Sequence, residues 1–176
     1  AAIRFTPSDL QQYEGKYLTE INFYNTDKNC QVFARVWTGG NQNYAGNLVF
    51  EKEVENLNEN AWNRVDLDRP LPIDTSQELW IGYKVLNPEG IYPAGTDSGP
   101  ADPYKGDMIL YYSDWVSMYD NFGWNINWNI YGLAVSTDSP VENNVSEFSR
   151  LGANVDGYNM YKDGSYMDEV AALRSN

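Results

Sequence analysis

The stretch Leu79-Trp80-Ile81-Gly82-Tyr83-Lys84-Val85 decides the fold class. Successive side chains of an extended chain point to opposite faces, so Leu79, Ile81, Tyr83 and Val85 share one side. The same two-residue period recurs on either side of it. Upstream it runs through Tyr17 to Tyr24, where Thr19, Ile21 and Phe23 align, and through Cys30 to Trp37, where Cys30, Val32, Ala34 and Val36 align. Leu48 to Val54, Trp62 to Leu67, Met108 to Tyr112 and Trp128 to Val135 complete the set. Short alternating runs separated by Gly, Pro, Asn and Asp predict an all-β, antiparallel sandwich of jelly-roll type. No strand–helix–strand rhythm of a parallel sheet is present. The one helical signal is Thr6-Pro7-Ser8-Asp9, a cap residue before a proline, which predicts a short helix through Leu10 to Tyr13 ended by Gly15.

Two segments depart from this rhythm. Leu86 to Asp107 is rich in Pro and Gly and long for a sandwich connection, so it reads as a functional or specially pinned loop. After Ser136 the sequence reads as a linker and then as a hairpin, Tyr158 to Tyr161 and Ser165 to Val170 about Asp163-Gly164. The chain therefore divides into a sandwich over 1–138 and a linker with a C-terminal β-hairpin stub over 139–176.

The composition narrows the chemistry. Of 176 residues, 25 are acidic, 12 are Lys or Arg and none is His, for a net charge of −13. Without a basic footprint the chain is not expected to bind nucleic acid or an anionic membrane surface. No apolar run has the length of a membrane span. Without histidine there is no Ser-His-Asp triad and no His-ligated zinc; the single cysteine, Cys30, provides no disulfide and no metal cluster, and reads as a small buried hydrophobe. Glycoside hydrolysis needs only two carboxyls, but nothing singles out a pair; Glu51 and Glu53 share a strand face as many solvent-side acids do. The chain is accordingly read as no enzyme.

Aromatic residues make up 15% of the sequence, and rings with Asn and Asp beside them suit sugars, whose C–H faces stack and whose hydroxyls hydrogen-bond. Trp37, Trp62, Trp80 and Trp128 read as scaffold. Trp124 lies in the Gly/Asn-rich stretch Asp120-Asn121-Phe122-Gly123-Trp124-Asn125, where packing explains a large ring poorly. With Trp115, Tyr92, Tyr104 and Asn125 it forms the candidate ligand site. Asp97, Asp102 and Asp107 lie in one Gly/Pro-rich loop and are candidate ligands for a structural calcium ion, which takes oxygen ligands from such loops.

Several segments carry a family likeness: Ala2 to Leu10, Val36-Trp37-Thr38-Gly39-Gly40, Trp62 to Leu67, Pro72-Ile73-Asp74 leading to Glu78 through Tyr83, Tyr92-Pro93-Ala94-Gly95 followed by Asp97-Ser98-Gly99-Pro100 and Lys105-Gly106-Asp107, and Asn127-Trp128-Asn129-Ile130. In order and spacing they resemble the accessory jelly-roll domains of large secreted proteins of Bacteroidetes-type bacteria. Those domains are distantly similar to the cleaved-adhesin domains of gingipains. The resemblance covers roughly residues 1–136. Gly157 to Gly164 is similar to the start of a fibronectin type III repeat. The resemblance implies a secreted or cell-surface, multidomain protein. Within it, the first expectation is a non-catalytic carbohydrate-binding module whose partners are a polysaccharide or glycan and neighbouring modules. The alternative is a cell-surface adhesion or spacer domain making protein contacts.

Overall fold

The structure, a computed structural model, describes residues 1–86, 90 and 92–136, together with the backbone of 149–151, 161–162 and 165–166. In chain order the strands are β1 (Ala2–Phe5), β2 (Lys16–Asn25), β3 (Gln31–Thr38), β4 (Asn47–Glu53), β5 (Ala61–Pro72), β6 (Leu79–Leu86), β7 (Met108–Tyr111), β8 (Asp114–Ser117), β9 (Ile130–Ser136) and β10 (Ser149–Leu151). They form two antiparallel sheets, ordered β4-β3-β6-β1-β7-β8 and β10-β9-β2-β5. All seven runs read from the sequence as strands are strands. The terminal pair β11 (Tyr161–Lys162) and β12 (Ser165–Tyr166) matches Tyr161 with Tyr166. The Asp163-Gly164 turn, and the rest of the tail read as a hairpin stub, lie outside the described residues.

The expected helix divides into α1 (Pro7–Leu10) and a 3₁₀ turn over Gln11–Tyr13. Thr6 caps it reciprocally: its side chain accepts from the Asp9 amide, and the Asp9 carboxylate accepts from the Thr6 amide at 2.8 Å. Leu10 and Tyr13 are buried under the sheets.

β5 runs to Pro72, beyond the expected end at Leu67. It tolerates Pro70 and Pro72 because it is an edge strand, where a missing N–H costs no ladder bond. The opposite sheet's edge strand, β4, turns Lys52 inward, where its ammonium meets the Asp66 carbonyl at 3.2 Å and the Asp68 carboxylate at 2.8 Å. An inward charge of this kind discourages edge-to-edge association. Ser149–Leu151, read as part of the tail, pairs with Gly132–Ala134 of β9 and extends the smaller sheet.

Both sheets contribute to the main core, including Leu18, Ile21 and Phe23 of β2, Val32, Ala34 and Val36 of β3, and Ile81 and Tyr83 of β6. The six-stranded sheet buries part of its other face as well. Trp80, Ala2 and Trp37 alternate outward there and join Met108 and Trp115 in a second cluster. Trp115 meets Trp37 at 5.6 Å, nearly edge-on, and Trp80 at 5.3 Å. Gly82 lets β1 approach β6 at this point, since a Cβ there would lie 2.3 Å from the Ala1 carbonyl. Glu78 accepts from the Trp80 indole at 3.0 Å and from Arg4 Nε at 2.9 Å, so the charged pair at the rim is fully engaged. Among the scaffold tryptophans of the sequence reading, Trp37, Trp80 and Trp128 are buried. Trp62 is not in either core cluster; it stands half-buried beside Tyr24 and Tyr131.

The second cluster predicts that Trp80→Ala costs about 3–5 kcal/mol of stability, as removal of a fully buried large ring does. A urea titration of the variant beside the wild type measures this; a loss below about 1 kcal/mol would mean that the outer cluster carries little of the fold.

Candidate functional site

The Gly/Pro-rich loop is pinned by two of its own carboxylates, Asp97 and Asp107, and by two asparagines from later in the chain, Asn125 and Asn127. Asp97 Oδ1 accepts from the amides of Gly99 (2.9 Å) and Asn127 (2.7 Å), and its Oδ2 accepts from the Asn127 side chain at 2.9 Å. Asn127 is buried; its carbonyl oxygen takes the Asp102 amide at 2.7 Å and its amino group donates to the Pro100 carbonyl. Asn125 Oδ1 takes the Ala101 amide at 2.9 Å. Gly99, at φ +79°, passes so close that a Cβ would lie 2.4 Å from the Asn125 carbonyl. A loop with this many backbone donors needs partners for them, and short Asn and Asp side chains supply them.

Asp107 closes the loop and is fully buried. Its Oδ1 accepts from the Tyr104 amide (2.9 Å); its Oδ2 accepts from the Ser117 hydroxyl (2.5 Å) and the Tyr119 amide (2.9 Å). One carboxylate thus ties the loop to β8 and to the helix after it, α2 (Met118–Phe122). Ser117 caps α2 by accepting from the Asp120 amide, and Gly123 ends it in the left-handed region at φ +72°. The sequence reading took this stretch for a loop; the Ser-x-x-Asp pattern followed by glycine was the signal for a helix. Lys105 reaches Asp9 at 2.8 Å and fastens the loop to α1. Burial works to raise the Asp9 carboxyl, but the hydrogen bonds from Lys105 and Thr6 outweigh it and hold its pKa below the usual value.

The acids expected to hold calcium are therefore engaged as hydrogen-bond acceptors, Asp97 and Asp107 through their carboxylates and Asp102 through its backbone. Among the described residues no three acidic side chains come together as a cation site. Glu51 and Glu53 likewise face their strand neighbours, Arg35 and Gln31.

The candidate aromatic residues separate. Trp115 is 8% exposed and forms part of the second core; the expectation that it offers a ligand platform is corrected, because β7 and β8 fold over Trp37 and Trp80 and turn this ring inward. Tyr104 is also a packing residue: its ring lies against that cluster, its amide is on Asp107, and its carbonyl accepts from Arg4. A hydrogen bond to Asp120 holds its hydroxyl pKa above the usual value. Asn125 is a loop pin. Tyr92 is exposed, but it lies by Thr26, whose hydroxyl donates to its carbonyl, and no described ring contact joins it to the others. Trp124 is 55% exposed just beyond the α2 cap.

Other exposed apolar residues lie near Trp124 in the chain. Leu110, Tyr111, Tyr112, Tyr119 and Phe122 are also exposed, so that most of the large apolar side chains open to solvent among the described residues fall within fifteen positions. Tyr111 meets Tyr112 at 4.5 Å and Phe122 at 5.3 Å, with ring planes at 68° and 79°. The β7–β8 turn and α2 bring these rings together. Tyr111 and Tyr112 read as the end of a strand because Tyr112-Ser113 has no turn signature, and their exposure follows from where the hairpin ends. From Gly106 to Ser149 the sequence has no Lys or Arg, and the exposed acids beside the rings are Asp114 and Asp120. No helix among the described residues is long and apolar enough to cross a membrane.

No protein-family model, curated protein or solved structure matches the chain.

Two outcomes follow from the pinned loop. Asp107→Asn puts an amino group against an N–H or O–H donor in either orientation, and should cost about 1–3 kcal/mol by urea titration. Ser117→Ala removes both a donor to Asp107 and the cap on the Asp120 amide, and should cost a similar amount. The melting temperature should be the same in millimolar calcium and in chelator; a rise with calcium concentration would reveal an ion bound to the native state.

Proposed function

We propose that this chain is a non-catalytic carbohydrate-binding domain of jelly-roll type, an accessory module of a secreted or cell-surface multidomain protein. The observation that carries the reading is the exposed ring group of Tyr111, Tyr112 and Phe122, with the exposed Trp124 two residues further along the chain, on an acidic molecule. Contiguous exposed rings on a well-buried scaffold mark a surface kept for a partner. Ring faces suit the C–H faces of sugars, and Ser113, Asp114 and Asn121 lie beside them in sequence to take up hydroxyl hydrogen bonds. The jelly-roll assignment is supported by the strand course: the chain passes from one sheet to the other between β1, β2, β3, and again between β4, β5 and β6.

A second reading, an adhesion or spacer domain, is favoured by one observation. The rings meet at steep angles, so the group is less a flat strip than an apolar knob of the kind that fills a protein pocket.

Trp124→Ala separates stability from binding. The ring is half-exposed, so the substitution should change stability by no more than about 0.5 kcal/mol. In affinity electrophoresis through gels of soluble polysaccharides, it should reduce retardation at least tenfold. Retardation unchanged from wild type would remove Trp124 from the site, and a wild type retarded by no glycan would leave the adhesion reading in front.

A further inference from the structure

We infer that Tyr112 is a ligand-contact residue, held at the β7–β8 turn against the preference of its backbone, and that its ligand is an uncharged polysaccharide. This rests on the carbohydrate-binding reading above and names the residue and the ligand class. Tyr111 pairs with Asp114, leaving Tyr112-Ser113 as a two-residue hairpin loop. Such loops favour Gly, Asn or Asp where φ is positive, because a Cβ there crowds the following carbonyl. Tyr112 has φ +55°.

Tyr104, another tyrosine with positive φ (+64°), provides the contrast. Its conformation is compensated: its amide and carbonyl are both hydrogen-bonded, and its ring packs against the second core. Tyr112 has no such return. Its side chain is 88% exposed, and its one ring neighbour, Tyr111, is itself open to solvent. Asn or Gly at this position would make the same turn with less strain. A strained, exposed aromatic residue at the tip of an aromatic patch is the pattern of a residue retained for contact with something outside the chain.

The charge around the patch selects the occupant. No Lys or Arg occurs between Gly106 and Ser149, and the adjoining loop from Gly39 to Gly46 has no charged residue. Lys105, just before this stretch, is held by Asp9. Uronate or sulfate groups would meet the carboxylates of Asp114 and Asp120 and the repulsion of the net charge of −13. Neutral sugar rings meet the aromatic faces and the acidic acceptors without that penalty.

The test is Tyr112→Asn in the full chain, beside wild type and Trp124→Ala. Affinity gels would contain a mixed-linkage β-glucan, xylan or glucomannan, or the anionic polygalacturonate or chondroitin sulfate. The expected result is retardation of wild type on a neutral gel and on neither anionic one. Tyr112→Asn should lose at least tenfold in affinity while its melting temperature rises by about 2–4 °C. A variant that binds as wild type does, or that melts lower, overturns the assignment of Tyr112 even if Trp124→Ala abolishes binding. Wild type retarded by an anionic gel overturns the ligand class alone. Wild type retarded by no gel overturns the carbohydrate reading, and this inference with it.

Discussion

A β-sheet that buries both faces needs a cover on each, and the six-stranded sheet of this protein meets that demand with a single outward tryptophan on its central strand. Trp80 alternates away from the main core between Leu79 and Ile81, and its ring is too large to leave in water. Trp37 on the neighbouring strand extends the apolar area. The short strands β7 and β8 cover it, with Trp115 as the wedge and Tyr104 at its margin. This requirement sets the position of everything that follows in the chain. The hairpin extends the sheet beyond β1 and brings Trp115 back against Trp37 and Trp80, and α2 begins directly after β8. The exposed rings are where that path leaves the packed surface.

Two carboxylates, the buried Asp107 and the half-buried Asp97, organise the same region. A charged group is costly to bury unless its lone pairs are occupied, and Asp107 has three donors on its two oxygens. Asp97 is engaged in the same way by Asn127 and Gly99. These acids do in hydrogen bonds what a bound cation does in other loops: they gather backbone groups from distant segments around one negative charge. The aromatic group beside them therefore rests on a fixed base.

Local pattern in the sequence was a good guide wherever one residue's neighbours along the chain settle its environment. The alternation at Cys30 to Trp37 and at Leu79 to Val85, the cap at Thr6 and the terminator Gly15 all lie on elements where they were expected. The exposure of Trp124, in a Gly/Asn-rich stretch with little to pack against, was legible for the same reason. Trp115, Tyr104 and Trp62 were not. Whether a ring on a strand faces a core, an outer cluster or solvent depends on which other strands cover that face. Trp115 and Tyr104 are packed by residues from β3 and β6 far away in sequence, and Trp62 lies on a face that the core does not reach.

The sequence by itself determined the all-β class, the positions of most strands, the net charge of −13, and the need for the Gly/Pro-rich loop to be pinned. These follow from composition and from a two-residue period, which are properties of the chain before it folds. Only the tertiary structure decided that the pin is a set of hydrogen bonds to Asp97, Asp107, Asn125 and Asn127, that the six-stranded sheet has a second core, and that Tyr111 meets both Tyr112 and Phe122. Each of these joins groups from separate segments, and the distance between such groups is set by how the sheets stack and where the hairpin turns.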